Sequence, residues 1–532
     1  MAVLSTLSNL HLPSWLHITL LPSLSSNFPP SVSENITPLI LSTTAAALIA
    51  YAFFGPRSKN PTVPGPYELP IVGNFLQAYP YIKNQQFQEL TAQLVEKYGN
   101  IVMLKLFSRQ IVITRDPDVA KRVLNPSSSD PEFTRPDNSK IFVIPYMLFA
   151  LGTDDLWKRH RKFLQPAFGP SHLRFALDAS NEVMDELCRI WEGQISAKPD
   201  GKLRTNARDV MTSVTMDIIG KVAFSYDFKS VLHLTSHNAP QHSIDTILKT
   251  ISNRFAVPPF LWSLFDLADS SSPVKKAREE NAALLKDVIR RKREGAAGTI
   301  GKDERKFDLL DRLLAENEAS GSGGEGKFGD EEILGEVWGF FMAGHETTSH
   351  TLTFIILELC RNPHILTKLE DEIETVLGGR DAEVTWDGVH QLKYLEMVIK
   401  ETQRLHAVVG GIGRESTRDV DVLGHRIEKG TRVNVAIRLL QRDSRYWDEP
   451  LVFKPERWEN GFVPRAGTYL PFGDGVHNCI GQKMALLETK ITIVKLLQKF
   501  SFTMLPNQGL SIRTSVTSGL AHGLVVDVEL RK

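Results

Sequence analysis

The stretch AGHETTSH, residues 343–350, places two histidines and a glutamate close together, a composition that could hold a metal. Zinc peptidases place the histidines of H-E-x-x-H four residues apart on a helix, which leaves both rings on nearly one face. His345 and His350 are five residues apart, so their rings would point about 140° away from each other. The spacing disfavours zinc, and the plain alternative is two helix histidines, one of them solvated.

A second candidate is Cys479 in YLPFGDGVHNCIGQKMALLETK, residues 469–490. Glycines at this density allow a tight loop whose amide N–H groups converge, and MALLETK predicts a helix that begins near Ile480. Converging amides and a helix N-terminus both favour a thiolate, so the sulfur is predicted to be a metal ligand or a nucleophile. A buried filler cysteine would not need the glycines. The three glycines are Gly473, Gly475 and Gly481.

The elements around these residues are predicted to be mostly helical. The run after the Gly/Ser-rich loop of residues 320–330 predicts a long helix from Asp330, as N-cap, to about Cys360. Its middle carries little charge, so AGHETTSH should lie in mid-helix and be largely buried. LKLFSRQIVIT, residues 104–114, predicts two strands joined by a turn. The predicted fold class is mainly α with small β-sheets.

Charge and cysteine content exclude some classes of protein. The chain has 62 Lys and Arg residues against 62 Asp and Glu residues, so it has no global basic footprint. Nucleic acid is therefore not expected as the main partner. Three cysteines in 532 residues do not indicate a disulfide framework.

The N-terminal region predicts a membrane anchor. Residues 36–54 are uncharged and rich in Ala, Leu and Ile, and as a helix they would reach about 28 Å, close to the hydrocarbon thickness of a bilayer. Arg57 and Lys59 follow at once, which predicts that the chain after the span lies in the cytosol. A cleaved signal peptide is the alternative, although the basic n-region is missing. Whether residues 1–33 also contact the membrane is left open.

Two further motifs, E-x-x-R and PERW, lie between the AGHETT stretch and the cysteine loop. Glu401 and Arg404 can pair on a helix, and PERW supplies Arg457, so the three could form a buried, hydrogen-bonded cluster. AGHETT, E-x-x-R, PERW and F-G-x-G-x-x-x-C-x-G occur in an order and spacing that resemble the cytochrome P450 family. The resemblance covers about residues 60–532 and assigns the cluster to the fold. It implies a cytochrome P450 fold with an N-terminal transmembrane helix, with residues 1–59 as anchor and flank.

The resemblance implies a haem-thiolate monooxygenase that binds haem b, with Cys479 as the axial thiolate ligand, whose electron push favours O–O cleavage. Thr347 would hold a proton or water near bound oxygen, and Glu346 would relay protons. Ala343 and Gly344 would leave room for dioxygen. The Thr347 hydroxyl is expected to bond to the carbonyl four residues earlier and kink the helix. Other residues expected to contact the haem are Trp157, Arg161, Arg414, Phe472, His477 and Gly481.

The cysteine loop departs from the family at His477, where many members have arginine two residues before the cysteine. Histidine can still donate a hydrogen bond to a haem propionate, but its charge near neutral pH depends on its surroundings. We therefore expect the haem affinity or reduction potential to differ from the usual case.

The resemblance also implies partners. Electrons would come from NADPH through a diflavin NADPH–cytochrome reductase, with O2 as co-substrate. In KRHRK, residues 158–162, Lys158, Arg159 and Lys162 would help dock an acidic reductase; a solvated helix face is the plain alternative. The expected location is the endoplasmic reticulum membrane, as a single-pass protein in contact with membrane lipid whose catalytic domain is cytosolic.

The substrate is less well defined. The segments expected around the distal pocket, residues 142–151, 338–344 and 408–413, are apolar and uncharged. They suit a lipophilic small molecule, for which hydroxylation of a steroid- or terpenoid-sized compound of secondary metabolism is favoured, with fatty acids and xenobiotics left open. Gly410 and Gly411 suggest room, or a flexible wall, beside the haem.

Two alternatives to a monooxygenase remain open from the sequence. A haem-thiolate isomerase or dehydratase would take no external electrons, but such members tend to lack the acid–Thr pair that Glu346 and Thr347 supply here. A haem- or lipid-binding membrane protein without enzymatic activity would consume no NADPH with any ligand.

Overall fold

The computed structural model covers only part of the chain. The described residues are 63–125, 130–234, 239–296, 308–319 and 328–531. The transmembrane helix predicted over residues 36–54 lies outside these ranges. Across the ranges that are described, we find no helix both long and apolar enough to cross a membrane. The division at residue 59 between anchor and catalytic domain stays a prediction.

Helices dominate the described chain. They are α1 (Phe75–Lys83), α2 (Phe87–Tyr98), α3 (Pro117–Leu124), α4 (Asp155–Leu164), α5 (Pro170–Ser196), α6 (Ala207–Phe224), α7 (Ala239–Ala256), α8 (Ser272–Ala296), α9 (Leu309–Ala319), α10 (Asp330–Arg361), α11 (Pro363–Leu377), α12 (Trp386–Gln391), α13 (Lys393–Leu405), α14 (Ile437–Leu440) and α15 (Gln482–Lys499). Short 3-10 helices cover Gln165–Phe168, Ser230–His233, Pro259–Leu261, Pro455–Gly461 and Gly475–His477.

The strands form small, separate sheets. They are β1 (Ile101–Leu106), β2 (Arg109–Thr114), β3 (Phe133–Thr134), β4 (Lys202–Asn206), β5 (Ile412–Ser416), β6 (Val420–Val422), β7 (His425–Ile427), β8 (Arg432–Val435), β9 (Phe500–Met504), β10 (Ile512–Thr514), β11 (Ser518–Leu520) and β12 (Val525–Leu530). The largest sheet has the order β1-β2-β8-β5-β3, with β2 and β8 parallel. The predicted hairpin is confirmed as β1 and β2, which pair from Ile101 opposite Thr114 to Leu106 opposite Arg109. A mainly α fold with small sheets is therefore confirmed.

Helix α10 runs through the core, as predicted from its sparse charge, and packs against α6. Its start differs from the prediction, because Asp330 is the first helical residue and Gly329 is the cap, with extended φ/ψ of −71° and 161°. The Gly329 N–H donates to the Glu332 carboxylate at 2.8 Å, which satisfies a donor that the helix itself leaves free. Acidic residues in the first turn complement the positive end of the helix dipole.

The cluster of Glu401, Arg404 and Arg457 is confirmed. Arg404 on α13 donates to both oxygens of Glu401, at 2.9 and 2.8 Å, and Arg457 donates to Glu401 Oε1 at 2.9 Å. Trp458 Nε1 donates to Glu401 Oε2 at 3.1 Å. Arg404 also reaches the carbonyl of Gln441 at 2.8 Å. The cluster therefore ties α13 to the segment that precedes the cysteine loop.

Candidate active site

The loop that carries Cys479 is closed by a hydrogen bond from the Cys479 N–H to the carbonyl of Phe472, at 2.9 Å. Gly473 and Gly475 have φ of 73° and 69°, a region that side chains disfavour. A Cβ on Gly475 would also lie 2.4 Å from the carbonyl oxygen of Leu124. Both glycines are therefore required by the backbone path, as the spacing predicted.

Helix α15 begins at Gln482, two residues later than predicted, with Gly481 as its cap. The reason is that the first helical hydrogen bond runs from the Ala485 N–H to the Gly481 carbonyl, at 2.9 Å. Cys479 and Ile480 therefore remain in the loop, just before the helix N-terminus.

Cys479 borders a cavity that holds about 870 Å³ of space not filled by protein, its opening included. Most of the predicted site residues line this cavity. They are Trp157, Arg161, Ala343, Gly344, Thr347, His477, Cys479 and Gly481. Glu346, Arg414 and Phe472, which were also predicted, are not among the described residues that line it.

Helix α10 contributes the segment around Thr347 to the cavity wall. The Thr347 hydroxyl donates to the Ala343 carbonyl at 2.9 Å, as predicted, and α10 is one helix from Asp330 to Arg361. The expected kink stays a prediction. Ala343 is exposed although its neighbours on α10 are mostly buried, because it faces the cavity. A Cβ on Gly344 would lie 2.7 Å from Ile219 of α6, so close helix packing accounts for this glycine.

The two histidines of AGHETTSH are both buried, so the expectation that one is solvated is wrong. The Nδ1 of His345 is hydrogen-bonded to the Phe341 carbonyl at 2.6 Å, and burial lowers the pKa of His345 to about 4. The His350 ring packs against Gly519, and burial lowers its pKa to about 3. Helix packing has buried both rings as neutral side chains, because a charged imidazole would be costly there.

Glu346 lies outside the cavity, on the side of α10 that faces a charged cluster. Burial raises the pKa of its carboxyl to about 7. The adjacent Thr517 hydroxyl and the charges of Arg208 and Arg513 lower the pKa by smaller amounts, while Asp245 raises it. The carboxyl therefore titrates near neutral pH at a point one residue from Thr347.

One end of the cavity is cationic. Arg161 donates to the carbonyl and side-chain oxygens of Asn478, at 2.9 and 2.8 Å. Arg135 lies over the Trp157 ring at 5.9 Å and donates to the Leu148 carbonyl at 3.0 Å. Burial, with the charges of nearby arginines, lowers the pKa of Arg135 to about 9, which still leaves it charged at neutral pH.

Arg414, on β5, is buried behind this end and does not itself line the cavity. Its guanidinium donates to the carbonyl of Gly413 at 3.0 Å, and burial lowers its pKa to about 10. Among the described residues, no acid forms an ion pair with Arg135, Arg161 or Arg414. Two cations therefore line this end of the cavity and a third lies behind it, and none of the three is paired with an acid of the described chain.

His477 is neutral in this setting. Burial and the charges of Arg135, Arg414 and Arg161 lower its pKa to about 2. Its ring lies 4.0 Å from the Trp157 ring, and its Nε2 is 2.8 Å from the Thr153 hydroxyl, which accepts from the backbone N–H of Arg135. The other ring nitrogen, Nδ1, is buried without a partner among the described residues.

The thiol of Cys479 is held in a mixed environment. Burial raises its pKa, whereas the Gly481 amide and the Arg161 charge lower it by smaller amounts. The prediction that converging amides and a helix N-terminus would favour a thiolate is therefore incomplete, because desolvation outweighs the stabilisation from the loop. A metal ion at the sulfur would supply the missing stabilisation, since a coordinating thiol is deprotonated outright.

The apolar walls were only partly predicted. Leu148 and Phe149 line the cavity from residues 142–151, and Gly339 and Phe340 from residues 338–344, but none of the described lining residues comes from 408–413. The expectation of room at Gly410 and Gly411 is wrong. A Cβ on Gly410 would lie 2.5 Å from Gln88, and one on Gly411 would lie 3.2 Å from Asn434. These glycines fill a packed contact.

Three charged residues of the wall were missed by sequence reasoning: Arg135, Glu336 and Glu488. Arg135 lies in a loop and carries no periodic signal. Glu336 is on α10 and Glu488 is on α15. Each lies three or four residues from buried apolar neighbours, which for Glu488 are Met484 and Ile491. That helical spacing was the available signal, because a carboxyl on an apolar stripe must be buried.

The cationic end and the thiol together fit a haem group. Haem carries two propionates, and among the described residues the arginines and the unpartnered His477 Nδ1 have no acid to bind. Trp157 adds an apolar ring at the same end, and the unfilled space extends from there to Cys479. Buried polar groups of native proteins have partners, so these donors indicate an anionic ligand that the protein chain does not itself provide.

Comparison with known proteins agrees with this site. The family model described as Cytochrome P450 matches residues 63–521. The chain is 30% identical to cytochrome P450 3A9 of Rattus norvegicus, over 86% of this chain and 89% of that protein. It is 29% identical to cytochrome P450 4d2 of Drosophila melanogaster, over 91% and 98% of the two chains. The chain therefore belongs to the cytochrome P450 family and is a haem-thiolate monooxygenase.

Proposed function

We propose that Cys479 supplies the thiolate that binds the haem iron. The observation that carries this assignment is the position of the thiol, which shares one cavity with the cationic end and with Ala343 and Thr347 of α10. Haem, when bound, supplies the activation of dioxygen, which the side chains cannot perform alone. Phe472 and Gly481 keep the sulfur in place, the first through its carbonyl and the second as the cap of α15.

The propionates are assigned to the cationic end. Arg135 and Arg161 would bind them as charged donors, and the His477 Nδ1–H would add a neutral one. Trp157 packs beside them, and Arg414 contributes its charge from behind the wall. A neutral histidine in place of a cation gives the weaker of the two kinds of hydrogen bond, so haem retention depends more heavily on Arg135 and Arg161.

Proton delivery is assigned to Thr347 and Glu346. The Thr347 hydroxyl lies in the cavity wall and donates to the Ala343 carbonyl, so its lone pairs can accept a hydrogen bond from water. Glu346 would resupply protons from the side of Arg208 and Arg513, because its carboxyl titrates near neutral pH. Both groups would hold protons close to the reacting oxygen.

The substrate is proposed to be a lipophilic small molecule that is hydroxylated. Leu148, Phe149, Gly339 and Phe340 give the cavity an apolar wall, which favours burial of an apolar ligand. A steroid- or terpenoid-sized compound of secondary metabolism is the favoured class. Discrimination among such compounds would come from shape and from the few polar groups of the wall.

The electrons are proposed to come from NADPH through a diflavin reductase. Lys158 and Lys162 are exposed on α4, beside the segment that holds Trp157 and Arg161. Arg159 is instead bound to Glu332 and lies over the Phe328 ring, so the proposed docking face rests on the two lysines. We place the enzyme in the endoplasmic reticulum membrane, with residues 1–59 as a single-pass anchor and residues 60–532 as a cytosolic catalytic domain.

The test is the carbon monoxide difference spectrum of the reduced, purified holoenzyme beside Cys479→Ser. The parent should show the red-shifted band typical of thiolate-ligated haem, and the variant should lose it. Cys360→Ser is the matched control, because this half-buried thiol lies at the end of α10 and outside the cavity. If Cys479→Ser keeps the parent spectrum, or Cys360→Ser loses it, the ligand assignment is wrong.

A further inference from the structure

A second cleft of the molecule is polar, and among the described residues it shares no lining residue with the cavity beside Cys479. It holds about 1110 Å³ of space not filled by protein, its opening included. Its walls come from the turn between β1 and β2, from β8 and the loop before it, from residues 136–141 and from the loop after α7. Nothing in the chemistry of the haem site accounts for the charged groups of this cleft.

Two arginines of the cleft lie on one face of the largest sheet. Strand β8 pairs with β2 so that Arg432 lies opposite Ile111, and Arg109 lies two residues before Ile111 on β2. Residues opposite each other and residues two apart along a strand share a face. Burial, and then the Arg109 charge, lowers the pKa of Arg432. The two guanidinium groups are therefore close enough to repel each other, and an anion between them would remove that cost.

The protein chain satisfies the two guanidinium groups only in part. Arg109 Nη1 donates to the carbonyls of Arg254 and Phe255, at 3.1 and 2.7 Å, near the end of α7. Arg432 Nη2 donates to Asn138 Oδ1 at 2.5 Å. Among the described residues, neither arginine forms an ion pair with an acid, and the Nε and the second terminal nitrogen of each form no hydrogen bond. Each arginine thus keeps donors that a ligand can use.

The remaining charged groups of the cleft do not neutralise this pair. They are Lys140, Lys429, Asp137, Glu415 and Glu428. Glu415 lies opposite Arg432 on β5, but its charge raises the pKa of Arg432 by less than burial and Arg109 lower it. Asp137 accepts hydrogen bonds from the N–H and the hydroxyl of Ser139. The described wall therefore has four cations and three acids, with the two arginines at its sheet face.

One side of the cleft is apolar and fixed in place. Trp262 and Pro259 of the loop after α7 form this side. The Trp262 Nε1 donates to the Val257 carbonyl at 2.9 Å, and the Arg254 guanidinium lies 4.4 Å from the ring centre. A cleft with cations on one side and a held aromatic ring on the other suits a ligand that has an anionic group and a small organic part.

We propose that Arg109 and Arg432 form a binding site for the phosphate group of a phosphate ester whose organic part lies against Trp262. Two guanidinium groups offer paired N–H donors that match the oxygens of phosphate. No bond is made or broken at this site, and the proposal does not depend on the function proposed for the haem cavity. A soluble phosphate ester and the headgroup of a phospholipid both carry this chemistry, and the probes of the test distinguish them.

The test is isothermal titration calorimetry of the full-chain holoenzyme in a nonionic detergent. Glycerol phosphate is the soluble probe, dihexanoylphosphatidic acid carries the same phosphate on a short-chain lipid, and dihexanoylphosphatidylcholine covers the phosphate with a cation. The variants are Arg109→Gln, Arg432→Gln, their combination and Glu415→Gln. Arg426→Gln is the matched control, because Arg426 is an exposed arginine of β7 that pairs with Asp419 and does not line the cleft.

We expect the parent to bind a phosphate probe and to bind phosphatidylcholine more weakly. Arg109→Gln and Arg432→Gln should each raise the Kd by about tenfold or more, since a hydrogen bond to a charged group is lost, and the double variant should not bind. Glu415→Gln should lower the Kd by about two- to fivefold, because it removes a competing acid. Arg426→Gln should match the parent.

The ratio of the two phosphate Kd values identifies the source of the ligand. Phosphatidic acid bound at least about tenfold more strongly than glycerol phosphate indicates a phospholipid headgroup, because only the acyl chains differ and their burial would supply the difference. Equal Kd values indicate a soluble phosphate ester. Either result supports the site, provided that the arginine variants weaken it.

The proposal is overturned if neither phosphate probe binds the parent, which would mean that the two arginines are only solvated. It is also overturned if the double variant binds as the parent does, since the anion would then lie elsewhere. The carbon monoxide spectrum of each variant shows whether it is folded around haem. If the arginine variants do not fold, Glu415→Gln decides, because unchanged or weaker binding there contradicts an anion at this site.

Discussion

The protein buries two groups of arginines, and the groups differ in what faces them. Arg404 and Arg457 converge on Glu401, so each donor has an acceptor within the chain. Arg135 and Arg161 line a cavity beside neutral His477, and Arg414 lies behind its wall. No acid of the described chain pairs with these three arginines. The first group stabilises the fold as it stands, whereas the second becomes favourable only when an anion binds.

The two groups of arginines also differ in their electrostatic surroundings. In the second group burial lowers the pKa of Arg135 and of His477, and the charges of the neighbouring arginines lower both further. In the first group Arg404 also reaches the carbonyls of Gln441 and Pro450, at 2.8 and 2.7 Å, so the charge is surrounded by acceptors. At the cavity, cations without an acid are thus evidence for a ligand, whereas the cations bound to Glu401 have a structural role.

The comparison predicts the largest loss of stability at Arg404. Arg404→Ala leaves Glu401 buried with one of its cations removed, and we expect the free energy of unfolding to fall by about 3–5 kcal/mol. Chemical denaturation of the purified protein measures this. Arg404→Lys should be intermediate, because it keeps a charge without the paired donors. A loss below about 1 kcal/mol for Arg404→Ala would contradict a structural role.

Arg135→Ala should instead weaken the retention of haem and leave the stability of the haem-free protein nearly unchanged. We expect haem to dissociate about 10- to 100-fold faster, as when an outer partner of a metal site is removed. The stability of the haem-free protein should change little, because the substitution also relieves repulsion. Transfer of haem to an excess of a scavenging globin measures dissociation.

The control for that experiment is Arg122→Ala, which removes a partly exposed arginine paired with Glu132. It should leave haem retention unchanged. Equal haem loss from both variants, or destabilisation of the haem-free protein by Arg135→Ala alone, would show that Arg135 supports the fold rather than a ligand.

The buried Glu346 carboxyl should make the stability of the protein depend on pH. Its pKa is about 7 against an ordinary value of 4.5, so between these values only the folded state keeps the proton, and stability falls as pH rises through this range. The full penalty, up to about 3 kcal/mol, applies above pH 7. Glu346→Gln should therefore be more stable than the parent at pH 8 and similar to it at pH 4.5.

Urea denaturation at the two pH values measures the difference. The other charged or titratable groups near Glu346 are Asp245, Arg208, Arg513 and His350. His350 is neutral over this range, since its pKa is about 3. A parent and variant whose difference in stability does not change with pH would show that the Glu346 carboxyl is not desolvated as described.

The smallest of the expected effects is on the rate of reduction by a diflavin reductase, when the exposed lysines of α4 are replaced. Lys158→Glu with Lys162→Glu should slow reduction by a diflavin reductase by about two- to fivefold at low salt, and the difference should vanish at high salt. Stopped-flow reduction measures both. Lys97→Glu, at an exposed position of α2, is the control. A salt-independent effect would indicate a structural change instead of lost docking.

Motif spacing predicted most of what lies close along the chain. The helix of residues 330–361, the hairpin, the glycine-dependent loop and the Glu401 cluster all follow from local rules of spacing, turn conformation and charge pairing. Element ends shifted by one or two residues, because capping depends on which carbonyl receives the first helical hydrogen bond.

Errors arose where packing between distant segments decided the outcome. Gly410 packs against Gln88 and Gly344 against Ile219, and neither contact can be read from the flanking sequence. His350 is buried by Gly519 for the same reason. Arg135 joins the cationic end only because its loop is brought beside α4, which adds a donor that no motif indicates.

The sequence by itself determined the class of chemistry, because a glycine-rich loop with one cysteine, a distal Ala-Gly-x-Glu-Thr-Thr stretch and a Glu–Arg pair are local patterns whose residue types and spacing are specific. Only the tertiary structure decided which charges have partners. Glu346, Glu336 and Glu488 are the same residue type on two helices, yet one faces a charged cluster, one binds a histidine and one is left alone in the cavity wall. The physical reason is that desolvation and pairing depend on what packs against a side chain in space, whereas sequence spacing fixes only its place along a helix.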